Sequence, residues 1–142
     1  MGCWSYQVLC DDSALDAQYD FLQSEDLAQS LQDAFDEVLN CEGNPEYDAC
    51  QYAIVAAAVV DSIFNGVDAK LLNDSDVVED MIELSSMLCE AEAMHLVDNA
   101  ISALDVVLSD ESELNELWAD NNEMYPQWVK NINTIKERLA SI

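Results

Sequence analysis

Residues 53–60 read AIVAAAVV and form the longest uninterrupted apolar run in the chain. A membrane-spanning helix needs about 20 apolar residues, so this run is too short to span a bilayer. A helix that is apolar on every side is instead buried in a protein core. Asn44 and Pro45 are typical of a helix start, and Gly66 is typical of a stop. The sequence therefore predicts a central buried helix over about residues 45–65, whose alanines let neighbouring helices approach closely.

Two helices are predicted before this segment. Asp12 or Ser13 caps a first helix that ends near Leu22, because their side-chain oxygens accept hydrogen bonds from free backbone N–H groups. Ser24 caps a second helix, which Gly43 ends. Apolar residues recur along this second helix at helical spacing, namely Leu27, Leu31, Phe35, Val38 and Leu39.

Further helices are predicted after the central one, starting near residues 74–76 and spanning about residues 94–108, 110–118 and 126–140. The sequence leaves open whether the first two of these are continuous near residues 89–91. The residues predicted to face the core are Val77, Met81, Leu84 and Leu88, then Met94, Val97, Ile101, Leu104 and Leu108, and finally Trp128, Ile132, Ile135 and Leu139.

These patterns predict an all-α fold. The chain has only 3 Gly and 2 Pro, too few for a β-sandwich with many turns, and no alternating strand pattern persists. Its 142 residues suit a single domain. We therefore predict one domain over residues 1–142, with a non-helical entry segment at residues 1–11. The domain is a compact bundle of about six to seven helices around the Ala/Val-rich central helix.

Charge is the unusual property of the sequence. It has 30 acidic and 4 basic side chains and a formal net charge of −26. Acidic disordered chains are poor in apolar residues, but 51% of this chain is hydrophobic, which indicates an ordered core under an acidic surface. The basic residues are Lys70, Lys130, Lys136 and Arg138. Direct binding to nucleic acids or anionic membranes needs more of them, so the expected partner is a basic protein surface.

The leading functional hypothesis is a non-enzymatic acidic binding protein that neutralises or regulates a positively charged protein, such as an immunity-type inhibitor of a toxin or nuclease. Three alternatives remain open: a nucleic-acid mimic of the anti-defence or anti-restriction type, an enzyme with an unrecognised carboxylate or Cys site, and a domain whose charge serves only solubility. The predicted partner-binding residues are Asp74, Asp76, Glu79 and Asp80. The sequence does not indicate an oligomeric state.

No catalytic, cofactor-binding or metal-binding residue is predicted. His95 is the only histidine, and with Glu92 it forms half of a di-iron motif that requires two such pairs. The acidic run from Asp74 has Glu79 where a calcium loop needs Gly and Ser85 where it needs Glu. Phosphate-binding, dinucleotide-binding and nucleophile-elbow motifs do not occur.

The cysteines favour a reducing compartment. There are five, at Cys3, Cys10, Cys41, Cys50 and Cys89, with no Cys-x-x-Cys pair. We expect most of them to be reduced and buried, as small apolar side chains. The chain lacks the basic start of a secretory signal, and Asp11 and Asp12 follow early, so a cytoplasmic location is predicted.

Motifs at the two ends resemble a family of short bacterial proteins known as domain of unknown function 4259. The family typically begins Gly-x-Trp-Gly-x-Gly-x-Phe-x-Asn-Asp-x-Ala-x-Asp. This chain matches it at Gly2, Trp4 and the segment 12–16, which reads DSALD. It departs at four positions, which hold Ser5, Gln7, Leu9 and Asp11. Near the C-terminus, residues 112–118 read SELNELW, and Trp128 follows near the start of the last helix.

The resemblance implies an all-helical single domain with an acidic surface and no established activity. We predict that its motif residues, Gly2, Trp4, Asp12, Asp16 and Trp118, are structural. Asp12 and Asp16 are four residues apart and so share one face of the first helix. Asp12 would cap that helix, and Asp16 would accept from the Trp4 indole N–H or from backbone N–H groups of the entry segment.

Overall fold

The described part of the chain folds into α-helices that pack around one long helix. The computed structural model describes residues 12–40, 46–67, 75–109, 115, 120 and 125–142. Its helices are α1 (Asp12–Leu22), α2 (Leu27–Leu39), α3 (Tyr47–Asn65), α4 (Ser75–Ser86), the short α5 (Glu90–Ala93), a 3-10 turn (Met94–Leu96), α6 (Val97–Val107) and α7 (Tyr125–Ala140). These residues contain no strand, and the predicted all-α bundle is confirmed. The predicted entry segment, residues 1–11, lies outside the described residues.

Helix α3 is the centre of the bundle, as its sequence predicts. It packs against α1, α2, α4, α6 and α7, and every residue from 53 to 60 is buried. It ends at Gly66, whose φ of 83° suits a residue without a Cβ. Glu46 has an extended backbone and is the N-cap, so the helix begins at Tyr47, two residues after the predicted start near Pro45.

The N-cap of helix α2 lies two residues after the predicted cap at Ser24. Asp26 is the N-cap, and its side chain accepts from the Gln29 backbone N–H at 3.2 Å. The Ser24 hydroxyl instead accepts from the Asp26 N–H at 3.2 Å and shares a hydrogen bond with Ser30 at 2.6 Å. Ser24 therefore stabilises the turn that precedes the helix. Helix α2 ends at Leu39, ahead of the predicted stop at Gly43.

The chain breaks between α4 and α5, which answers the question that the sequence left open. The hydroxyls of Ser85 and Ser86 donate to the carbonyls of Ile82 and Glu83, each at 2.7 Å. Such bonds offer the backbone an alternative to helix continuation. Cys89 then has an extended backbone and precedes α5.

The predicted core faces are largely confirmed. The buried residues are Leu27, Leu31, Phe35 and Val38 on α2, Met81 and Leu84 on α4, Leu88 in the break, Val97 and Leu104 on α6, and Trp128, Ile132, Ile135 and Leu139 on α7. Leu39, Ile101 and Leu108 are half-buried. Met94 is exposed, contrary to the prediction, because it lies in the 3-10 turn, whose tighter winding rotates it off the α6 face. The side chain of Val77 and the predicted helix 110–118, apart from its buried Asn115, lie outside the described residues.

Among the described helices, none has the length and the apolar composition needed to cross a membrane.

Candidate functional site

Of the carboxylates that the sequence singled out for partner binding, those of Glu79 and Asp80 are described, and they lie in the first half of α4. Glu79 is exposed and Asp80 is half-buried. Asp76 belongs to α4, but its side chain and the whole of Asp74 lie outside the described residues. Binding of a partner at this run therefore stays a prediction, and other acidic residues have a more defined geometry.

One acidic residue is buried inside the bundle, where α7 meets the end of α3. The Asp61 side chain is 4% exposed, and its Oδ1 lies 3.0 Å from Nε of Arg138. Arg138 also donates through Nη2 to the Gly66 carbonyl at 2.9 Å. The Asn65 amide donates to Asp61 at 2.9 Å and to the Arg138 carbonyl at 3.4 Å. We call these four residues the polar clamp.

The polar clamp is structural in character. A buried carboxylate is costly unless a cation and hydrogen bonds compensate it, and Arg138 and Asn65 do so here. A second ion pair, between Lys136 of α7 and the exposed Asp105 of α6, also connects α7 to the bundle. Of the three described Lys and Arg residues, two thus hold α7 in place, and Lys130 is exposed on the same helix.

A different acidic feature lies at an open groove between α1, α2 and α3. Its volume is about 230 Å³, and its lining residues are Asp20, Phe21, Ser30, Asp33, Ala34, Glu37 and Tyr52. We call this feature the acidic groove. Its exposed carboxylates are Asp20 of α1 and Asp33 and Glu37 of α2, while Phe21 and Ala34 are buried beneath them. Asp33 and Glu37 are four residues apart, so they project from the same face of α2.

Tyr52 of α3 connects the apolar and the acidic parts of the groove. Its hydroxyl donates to Oδ2 of Asp20 at 2.5 Å, and its ring meets Phe21 edge-to-face with centroids 6.0 Å apart. The hydrogen bond to Asp20, with added contributions from burial and from the charges of Asp20, Asp16 and Asp48, raises the pKa of Tyr52 to about 12. Tyr52 therefore remains a protonated donor at neutral pH.

No described Lys or Arg forms an ion pair with the carboxylates of the acidic groove. Asp33 accepts instead from the neutral amide of Gln29 at 2.8 Å. The polar clamp is too distant to compensate the groove, because Tyr52 and Asp61 are separated along α3 by roughly 13 Å. The Debye length at physiological salt is about 8 Å. The groove carboxylates therefore have no ion-pair partner among the described cations.

The residues predicted from the end motifs are only partly described. Asp12 is the first residue of α1, although its side chain is not described, and Asp16 is exposed on the same helix. Gly2, Trp4 and Trp118 lie outside the described residues. The structural role of these five residues therefore stays a prediction.

Trp128, near the start of α7, belongs to the core, as predicted. Trp128 is buried and stacks on the half-buried Tyr125, with ring centroids 6.1 Å apart. The Tyr125 hydroxyl donates to the Asn115 side chain at 2.8 Å, and the Asn115 amide donates to the Ser109 carbonyl at 3.2 Å. This network fixes the start of α7 against the end of α6.

The residues weighed for metal or thiol chemistry lie elsewhere. His95 and Glu92 are both exposed around the 3-10 turn, and no group of three or more metal-ligating side chains was found in the described ranges. Cys50 is buried, as expected, but Cys89 is exposed and its thiol donates to Glu92 Oε1 at 3.3 Å.

In the described residues, the fold and the groove define a helical protein with exposed acidic side chains around a buried apolar core. The chain belongs to the domain of unknown function 4259 family, whose model matches residues 2–131, and the predicted family is thereby confirmed. No curated protein and no solved structure matches the chain significantly.

Proposed function

We propose that this protein is a non-enzymatic acidic binding protein that neutralises or regulates a positively charged protein partner, as an immunity-type inhibitor of a toxin or nuclease does. The observation that carries the proposal is the contrast in charge compensation within the described residues. The buried Asp61 has a cation, whereas Asp20, Asp33 and Glu37 are exposed without one.

Binding a cationic partner gives a physical reason for keeping so much charge. Self-repulsion at a net charge of −26 destabilises the compact state, but the same field attracts a basic partner. Electrostatic steering of this kind raises association rates by about 10–10³-fold and weakens as salt rises. A basic protein would thus associate rapidly at low salt, and its binding would weaken as the salt concentration rises.

The size of the acidic groove supports binding over catalysis on a small substrate. Sites for small molecules usually have volumes of about 300–1,000 Å³ and enclose most of the ligand. The groove has about 230 Å³ and is open to solvent. Its three carboxylates are therefore better suited to contact part of a larger molecule than to enclose a substrate.

Affinity capture from the source cell at low and at high salt tests this function. We expect the protein to retain one or a few basic proteins at low salt and to release them at high salt, with mass spectrometry identifying them. Capture of a DNA-handling protein that nucleic acid displaces would favour the nucleic-acid mimic. Recovery of no basic protein at low salt would contradict the proposal and favour a charge that serves only solubility.

A further inference from the structure

We propose that the acidic groove between α1, α2 and α3 binds an arginine side chain that the basic partner presents. This inference rests on the proposed function and specifies where and how the partner is recognised. The supporting observations are the groove's size, its apolar base, the arrangement of its carboxylates and its complementarity in charge to a guanidinium group.

The size and the base of the groove suit a single long side chain. A volume of about 230 Å³ lies below the usual range for small-molecule sites. Phe21 and Ala34 are buried at its base, and the half-buried Tyr52 ring lies beside them. An arginine places apolar methylene groups against such a surface, and its planar guanidinium stacks on aromatic rings.

The carboxylates are placed to receive a group with several donors. Asp33 and Glu37 project from one face of α2, and Asp20 lies on the α1 side of the same groove. The Tyr52 hydroxyl donates to Oδ2 of Asp20, which orients that carboxylate and keeps its Oδ1 for a second donor. A guanidinium has five N–H donors in a fixed fork, so it can bond to both sides of the groove at once.

Arginine fits this arrangement better than lysine does. The lysine ammonium is a compact and strongly hydrated point charge, whereas the guanidinium is flat, more weakly hydrated and bidentate towards carboxylates. A groove with an aromatic side and carboxylates on two helices therefore selects the flat cation. A surface that acted only through its total charge would bind the two equally.

The test uses two blocked tripeptides of equal charge, Ac-Gly-Arg-Gly-NH₂ and Ac-Gly-Lys-Gly-NH₂, in NMR titrations of the ¹⁵N-labelled full chain. We expect the arginine peptide to shift resonances around Asp20, Asp33, Glu37 and Tyr52. We expect it to bind about tenfold more tightly than the lysine peptide, the factor that one well-formed charge-assisted bond supplies. Equal affinities, or shifts spread over the acidic surface, would overturn the proposal.

A pair of charge-matched variants separates the groove from the general field. The double substitution Asp33→Asn with Glu37→Gln should weaken binding of the arginine peptide by about tenfold or more. The control, Glu83→Gln with Asp98→Asn, removes the same charge from exposed positions on α4 and α6 and should keep the wild-type affinity. If both variants bind the peptide equally, the groove has no special role.

The same variants distinguish failure of this inference from failure of the proposed function. If a basic protein is captured equally well by the wild type and by the groove variant, the function stands and the arginine site is wrong. If the arginine peptide binds in the groove but no basic protein is captured at low salt, the site stands and the proposed function is wrong.

Discussion

The polar clamp and the acidic groove both present carboxylates near the central helix, but only one of them is neutralised. At the end of α3, Asp61 is buried and pairs with Arg138. Near the start of α3, the groove beside Tyr52 has exposed carboxylates and no described cation. Both regions belong to a chain with only 4 Lys and Arg residues for 30 acidic ones.

The difference shows which carboxylates the fold requires. Removing a carboxylate from water costs several kcal/mol unless a partner compensates it, so a buried Asp needs its Arg. An exposed carboxylate keeps its hydration and is affected only by screened repulsion from its neighbours. Arg138 thus lies where burial makes a cation necessary, whereas the groove carboxylates remain exposed to water.

The largest expected effect comes from breaking the polar clamp. The substitution Arg138→Met keeps the apolar stem but leaves Asp61 buried beside no cation, which should lower the free energy of unfolding by about 3 kcal/mol. Urea denaturation followed by circular dichroism measures the change. Lys130→Met is the matched control, because it removes one positive charge from an exposed position on the same helix and should cost less than about 0.5 kcal/mol. Equal losses in the two variants would show that Asp61 does not depend on its ion pair.

A second prediction concerns the titration of Tyr52 in the acidic groove. The groove raises the pKa of Tyr52 to about 12 from about 10, so the folded state favours the protonated phenol. The resulting stabilisation is fully present below about pH 10 and is lost as the pH rises from about 10 to about 12. Spectrophotometric titration at alkaline pH should show a late step, in which the Tyr52 phenol ionises near pH 12. Asp20→Asn should lower this pKa towards the ordinary value.

The control for this titration is another tyrosine. Tyr52→Phe should remove the late step, whereas Tyr19→Phe, at an exposed position on α1, should leave it unchanged. A late step that persists without Tyr52, or that does not respond to Asp20→Asn, would refute the hydrogen bond as its cause.

The smallest expected effect is on stability when groove carboxylates are neutralised. Asp33→Asn with Glu37→Gln should change the free energy of unfolding by no more than about 0.5 kcal/mol, with a slight gain from reduced repulsion. The Asn side chain at position 33 can still accept from Gln29. A loss of more than about 1 kcal/mol in urea denaturation would mean that these carboxylates stabilise the fold and would remove the contrast with the polar clamp.

Sequence patterns predicted the helices well where one local signal dominated. The apolar run 53–60 and Gly66 located the body and the end of α3, and the stripe from Trp128 to Leu139 located α7. The predictions failed where several signals compete within a turn. Ser24 and Asp26 are both good cap residues. The Ser24 hydroxyl is bonded to Ser30, and Asp26 is the N-cap of α2.

The candidate site was not predicted because it depends on contacts between distant segments. The carboxylates of the acidic groove come from α1 and α2, and Tyr52 comes from α3, so no local run of acidic residues reveals them. The polar clamp likewise joins Asp61 to Arg138 across α3 and α7. The acidic run near Glu79 was predicted as a binding site because its residues are adjacent in sequence.

The alanine-rich centre of α3 has a consequence for how this fold can vary. Four of the eight residues from 53 to 60 are Ala, and alanine loses no rotamer entropy on burial. At the centre of the bundle, the helix backbones therefore pack close together. Few side chains there can change rotamer to make room for a larger residue. A larger side chain at a central alanine should therefore disturb the packing of the helices around α3 far more than a substitution on the solvent face of α1 or α2.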